Sequence, residues 1–140
     1  MVGRLAGIPE GGGIPLHFDE SSGEPLFRQV ANQLNEAIIA GIYKEGEQVP
    51  STTEISTAYR INPATVLKGM NLLVSEGLLE KRRGLGMFVT TGARRRAGDA
   101  KRGEFLTTEV ARFVGEAKRL GIGVEELKAI IEKGYGHDTR

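Results

Sequence analysis

Eight basic side chains, Lys81, Arg82, Arg83, Arg94, Arg95, Arg96, Lys101 and Arg102, fall between Glu80 and Arg102 with only Glu80 and Asp99 opposing them. That is a local charge of +6 in a chain whose formal net charge is +1. Residues 1–60 run the other way, with four basic and eight acidic groups. Positive charge gathered in one place suits a polyanionic partner, and a solvated basic linker is the alternative reading. Other chemistry is thin. The only histidines are His17 and His137, cysteine is absent, and no carboxylate–histidine spacing suits a metal or a triad. Gly84-Leu85-Gly86 has neither the lysine nor the strand-to-helix setting of a nucleotide loop. Catalysis, a cofactor and a metal are therefore not expected.

The basic cluster must be positioned by about one domain, since 140 residues allow one core and a small appendage. No apolar run approaches the roughly 20 residues of a membrane span, and Met1 to Gly13 lacks the basic-then-apolar order of a signal peptide. With no cysteine for a disulfide scaffold, the expected setting is cytoplasmic, away from membranes. Glycine-rich residues 1–13 read as flexible. The alternation of Ile14, Leu16 and Phe18 predicts a short edge strand before a turn at Asp19 to Gly23.

From Pro25, apolar residues Leu26, Val30, Leu34, Ala37 and Ile38 recur at helical spacing until Gly41. After a loop to Pro50, Ser51 and Glu54 stand at the spacing of a capping box and open a short second helix ending near Tyr59-Arg60. Asn62-Pro63 is the start signal of a third helix, an N-cap acceptor followed by a residue whose missing N–H does no harm there. This helix runs to about Glu76. Its face of Val66, Met70, Leu73 and Val74 points inward, and Ala64, Thr65, Lys68, Asn71 and Ser75 form a small, polar outer face. Past Gly77 the period becomes two, and Leu78 to Arg83 and Met87 to Thr90 predict a hairpin turned through Gly84-Leu85-Gly86. Helix, short helix, tight turn, helix and hairpin is the order of a winged helix-turn-helix, whose third helix enters the DNA major groove.

The residues also resemble a known family. Pro25 to Val30, Gly41 through Gly46, Val49-Pro50-Ser51, Glu54-Ile55, Ile61 to Val66, Leu73, Glu76-Gly77 and Gly84 to Val89 are similar, in register, to the GntR-family DNA-binding domain. The Asn-Pro opening of helix three and the brief tail resemble its YtrA-type subfamily, and Leu16 to Ser22 is similar to leaders found there. The resemblance implies a DNA-binding transcription regulator, usually a repressor. Many members carry arginines in helix two and at the start of helix three, where this chain has Thr53 and Pro63. Two residues after Thr65, often basic in the family, it has Leu67. Because a bidentate arginine on guanine supplies roughly 1–3 kcal/mol of discrimination, base readout here is expected to lean on the wing and on DNA shape.

Candidate DNA contacts follow from chemistry. Thr65 offers a hydroxyl and a methyl, Ala64 is small enough to meet a thymine methyl, and Lys68 is the one cation on the helix-three face. Ser51 and Thr53 add hydroxyls near a helix start that favours phosphate. Arg82 and Arg83 flank the wing tip, where Gly84, Leu85 and Gly86 allow close approach to a minor groove, and Arg94, Arg95 and Arg96 add phosphate contacts. Bland readings stand beside these: Ser51 and Asn62 as helix caps, Lys68 as a solvated lysine.

The expected architecture is mainly α with a small β-wing. It comprises a flexible leader with a short strand (1–23), a winged helix-turn-helix (24–91), a basic linker (92–102) and a helical dimerisation tail (103–140). In the tail Leu106, Val110, Phe113, Ala117 and Leu120 repeat at four, three, four and three. Leu127, Ile131 and Tyr135 continue an apolar stripe from Val124 on a last helix after the break at Gly121 to Gly123. Such faces need a partner, either a second copy, giving a homodimer on double-stranded DNA, or the winged helix of the same chain. An unidentified small-molecule effector is compatible with a dimer interface, though the tail is too short for a closed pocket. The competing function is a winged-helix module that binds protein, which would show an exposed apolar patch rather than arginines beside the wing.

Overall fold

A computed structural model describes residues 16–136. Glycines 11–13, Ile14 and His137, singled out above, lie outside the described residues. Helix α1 (Leu26–Ile39) and helix α3 (Pro63–Ser75) supply the centre of the core, through Val30, Leu34 and Ile38 on one and Val66, Met70 and Leu73 on the other. Their approach is set by Gly69. A Cβ there would lie 2.5 Å from the Phe27 carbonyl oxygen and 2.9 Å from Val30 Cβ, so only a residue without a side chain lets the two backbones come this close.

Helix α2 (Thr52–Tyr59) is short and needs its caps. Ser51 Oγ accepts from the Glu54 amide (3.0 Å) while Glu54 Oε1 accepts from the Ser51 amide (2.8 Å), the predicted capping box. Arg60 ends the helix in the left-handed conformation (φ 56°), and Ser56 Oγ donates to the Ile61 carbonyl (2.7 Å) to close the turn into α3. At that next start Asn62 Oδ1 accepts from the Ala64 amide (2.7 Å), with Pro63 in the first helical turn as read from sequence.

Strands β1 (Leu79–Arg82) and β2 (Gly86–Val89) pair antiparallel with Leu79 opposite Val89 and Arg82 opposite Gly86. Leu79, Met87 and Val89 face the core, and Glu80 and Lys81 face solvent. The loop before α2 joins this hairpin: the Val49 amide donates to the Met87 carbonyl (3.0 Å) and the Val89 amide to the Glu47 carbonyl (2.9 Å).

Two expectations are corrected. Leu16 to Asp19 form no strand. Leu16 is buried, Phe18 meets Tyr59 edge-on (centroids 5.2 Å apart), and a 3-10 turn follows over Glu20–Ser22. Buried Gln29 anchors this segment, its Nε2 donating to the Asp19 and Glu24 carbonyls (both 2.8 Å) and its Oε1 accepting from the Asp19 amide. Satisfying backbone groups through one amide side chain removes the need for a strand partner.

The second correction concerns the basic linker assigned to 92–102, most of which is helix α4 (Ala93–Glu104). Ala93 and Ala97, one turn apart, are fully buried, so a face too small to register as an apolar stripe still docks closely. Residues through Asp99 form one unit, and Ala100 onward a second.

In the second unit the helix does not begin at Gly103 as expected. It passes through a π turn over Phe105–Glu109, where the Val110 amide reaches the Phe105 carbonyl five residues back. It continues as α5 (Val110–Arg119), and α6 (Val124–Gly136) follows the glycine break. Ala117 is buried and Leu127 half-buried, whereas Phe105, Leu106, Phe113, Leu120, Ile131 and Tyr135 are exposed.

Two glycine substitutions are expected to act oppositely. Gly69→Ala forces a side chain onto the Phe27 carbonyl and should cost about 1–3 kcal/mol or more by overpacking. Gly98→Ala, in α4 with no atom within 4 Å of its Cβ position, should gain about 0.5–1 kcal/mol. Urea unfolding midpoints of the two variants check the signs.

Candidate nucleic-acid interface

Between α3 and the wing lies an open cleft of about 600 Å³, lined by Ser51, Thr52, Thr53, Leu67 and Met70 on the helical side and by Lys81 to Met87 on the wing side. The walls are rigid for identifiable reasons. On the helical side the capping box fixes the start of α2, and Thr53 stands exposed beside it. On the other, Gly84 (φ 77°) and Gly86 (φ 122°) turn the wing tip through left-handed backbone. Gln48 braces that tip, its Nε2 donating to the Leu85 carbonyl (2.6 Å) and filling the place a Cβ on Gly86 would need.

The wing cations are pre-oriented to different degrees. Arg82 lies with its guanidinium 4.1 Å from the Phe88 ring centroid and its Nε 2.8 Å from Glu80 Oε2. Both partners of that ion pair are solvent-exposed, so it orients the side chain more than it stabilises the fold. Lys81 and Arg83 are exposed and make no ion pair among the described residues. On α3, Ala64 and Lys68 are exposed and Thr65 half-buried, and the Lys68 ammonium sits 4.2 Å from the ring centroid of Phe27 on α1.

Not all the sequence-predicted residues come together. Ser51, Thr53, Arg82, Arg83, Gly84, Leu85 and Gly86 line the one cleft, and Ala64, Thr65 and Lys68 lie on the same helix, α3, as its Leu67. Ser51 and Asn62 are engaged as caps. The arginine triplet divides. Arg94 Nε donates to the Ile39 carbonyl (2.9 Å) at the end of α1, and its guanidinium covers Gly41. Arg96 Nη2 donates to the Gly77 carbonyl (2.7 Å) and to Thr90 Oγ1 (2.8 Å), and that hydroxyl itself donates to Gly77. Both arginines thus satisfy carbonyls left over beyond helix ends and fasten α4. All three are exposed, and Arg95, 3.8 Å from an exposed Asp99, is the one not tied to a helix-end carbonyl.

Sequence reasoning missed Gln48, Phe27 and Phe88, which hold functional groups in place from 37, 41 and 6 positions away. No local pattern announces such pairs. Among the described residues no group of three or more acidic, histidine or cysteine side chains could hold a metal, and no helix is long and apolar enough to cross a membrane.

A helix-turn-helix followed by a two-stranded basic wing defines a winged helix-turn-helix. Residues 26–89 match the model of the bacterial regulatory proteins of the gntR family. It is 34% identical over 79 residues to the HTH-type transcriptional repressor YtrA of Bacillus subtilis (strain 168), which covers 56% of this chain and 61% of that one. The chain thus spans about three-fifths of that relative and 29% of a longer curated relative. Among solved structures it is similar to a GntR family transcriptional regulator from Listeria monocytogenes (TM-score 0.67, 25% identity), over 83% of this chain and 98% of that one. It is also similar to the DNA-binding domain of AraR in complex with operator ORX1 (TM-score 0.50, 25% identity), over 56% of this chain and 98% of that one.

The division of the triplet has a measurable consequence. Arg94→Ala and Arg96→Ala should each lower unfolding stability by about 0.5–1.5 kcal/mol, the net value of such hydrogen bonds. Arg95→Ala should change it by less than about 0.5 kcal/mol. Thermal or urea unfolding of the three single variants distinguishes pins from surface charge.

Proposed function

We propose that this chain is a sequence-specific DNA-binding transcription repressor that acts as a homodimer. The observation that carries the reading is the cleft between α3 and the wing, where exposed Lys81, Arg82 and Arg83 face the helix whose outer side carries Ala64, Thr65 and Lys68. A duplex fits such a pair of walls with α3 in the major groove and the wing tip over the adjacent minor groove. The repressor YtrA and the operator-bound AraR domain support it by likeness. Lys81, Arg82, Arg83 and Arg95 supply the phosphate contacts, with the backbone of Gly84 to Gly86 closing on the groove.

The tail carries the pairing. Phe105, Leu106, Val110, Phe113, Ile131 and Tyr135 border a groove of about 550 Å³, and Phe113 is 50% exposed. An apolar face of this kind on a two-helix unit buries itself against its own copy, which brings two winged helices to two half-sites. The patch lies in the tail while the winged helix presents cations, and that distribution favours a DNA-binding dimer over a winged-helix module that binds only protein.

Fluorescence anisotropy on random-sequence duplex at two or more salt concentrations tests the DNA reading. Affinity should fall steeply with salt, and Arg83→Ala should reduce the slope of log affinity against log salt by about 0.9, one phosphate contact. Binding that ignores salt would oppose it. Phe113→Asp, at a position half-exposed in the single chain, should leave the winged helix folded. It should weaken pairing by at least about 1.5–3 kcal/mol per subunit. Sedimentation should show a dimeric wild type and a monomeric variant that has lost its preference for paired half-sites. A monomeric wild type would overturn the assembly.

A further inference from the structure

Leu67 is a large aliphatic side chain, 37% exposed, on the recognition helix at the wall of the cleft that faces the basic wing. The fully buried apolar side chains of α3, Val66, Met70 and Leu73, belong to the core, and Leu67 does not join it. Ala64, one turn earlier on the same helix, is also exposed and apolar. Neither can donate or accept a hydrogen bond. On the floor of the major groove the one apolar feature any base pair presents is the 5-methyl group of thymine. We propose that Leu67, with Ala64 beside it, is a specificity-determining residue that reads a thymine methyl in each half-site.

The proposal rests on the DNA-binding reading above and deepens it by assigning a base. The cation nearest to Leu67 in sequence does not compete for the role, because the Lys68 ammonium is drawn over the Phe27 ring on α1. At the start of α2, Ser51 Oγ is committed to the Glu54 amide and Thr52 Oγ1 to Met70 Sδ (3.6 Å). What the helix offers at Leu67 is therefore contact area without hydrogen-bonding groups. Guanine and cytosine edges would be left with unsatisfied donors or acceptors against it, whereas a thymine methyl loses water and gains a neighbour.

The test starts from duplexes enriched by the full-length protein from a random-sequence library. Each thymine in the enriched half-site is then replaced in turn by deoxyuridine, which removes only the 5-methyl group. Wild type should lose about fourfold in affinity per half-site at one such position, the worth of one buried methyl. Leu67→Ala should bind the thymine and uracil duplexes equally at that position, and Leu67→Met should keep the discrimination. Circular dichroism and binding to random duplex confirm that the variants fold and still bind DNA. A wild type indifferent to uracil at every position, or a Leu67→Ala variant that still discriminates, overturns the inference while leaving DNA binding intact. Failure to enrich any sequence, with no salt-dependent binding, would instead remove the DNA-reading function and this inference with it.

Discussion

The closest approach of α1 and α3 at Gly69 is the constraint on which the rest depends. With the Phe27 carbonyl 2.5 Å from where a Cβ would stand, α3 can sit only as near as glycine permits. That distance lets Val66, Met70 and Leu73 interlock with Val30, Leu34 and Ile38 while Ala64, Leu67 and Lys68 remain outside. Burial of the inner row stabilises the fold, and its geometry decides which side chains the outer row displays. The same crossing places Phe27 beneath Lys68, so packing and the placement of a cation are fixed by one contact.

The wing is organised by a different means. A two-stranded hairpin alone is marginal in water, and here it is steadied by the pairing of residues 47–49 along β2 and by Gln48 at the tip. Arg82 is laid on Phe88 and steered by Glu80, which lowers the cost of ordering this long side chain against a ligand. Electrostatics then acts on groups whose positions are already set. At Arg94 and Arg96, hydrogen bonds to helix-end carbonyls of the same unit hold the guanidinium groups, so these two charges stay on the surface but in fixed positions.

What was legible in the sequence was whatever is local. The capping box at Ser51 and Glu54, the Asn62-Pro63 start, the inward face of α3 and the Gly84-Leu85-Gly86 turn each involve residues within one turn or one hairpin, and each stands as read. The misses are of two kinds. Gly92 to Gly98 has no large apolar residue, so a helix docked through two alanines and two arginine–carbonyl bonds looks like a linker. The segment Leu16 to Asp19 alternates like a strand, but Gln29 satisfies its backbone instead. The π turn at Phe105–Glu109 shifts the tail seam by a residue, a change no hydropathy period records. Ala117, counted into that seam, is already buried within the chain.

Two surfaces of opposite character therefore occupy two parts of the chain, a basic cleft before Asp99 and an apolar groove after it. Hydrogen–deuterium exchange of the full chain, with and without a random-sequence duplex at low salt, tests most directly whether nucleic acid occupies the first. Protection should appear at Ser51 to Thr53, at the start of α3 through Lys68 and across Arg82 to Phe88, with exchange over residues 105–135 unchanged by DNA. Protection confined to 105–135, or absent from both α3 and the wing, would contradict it.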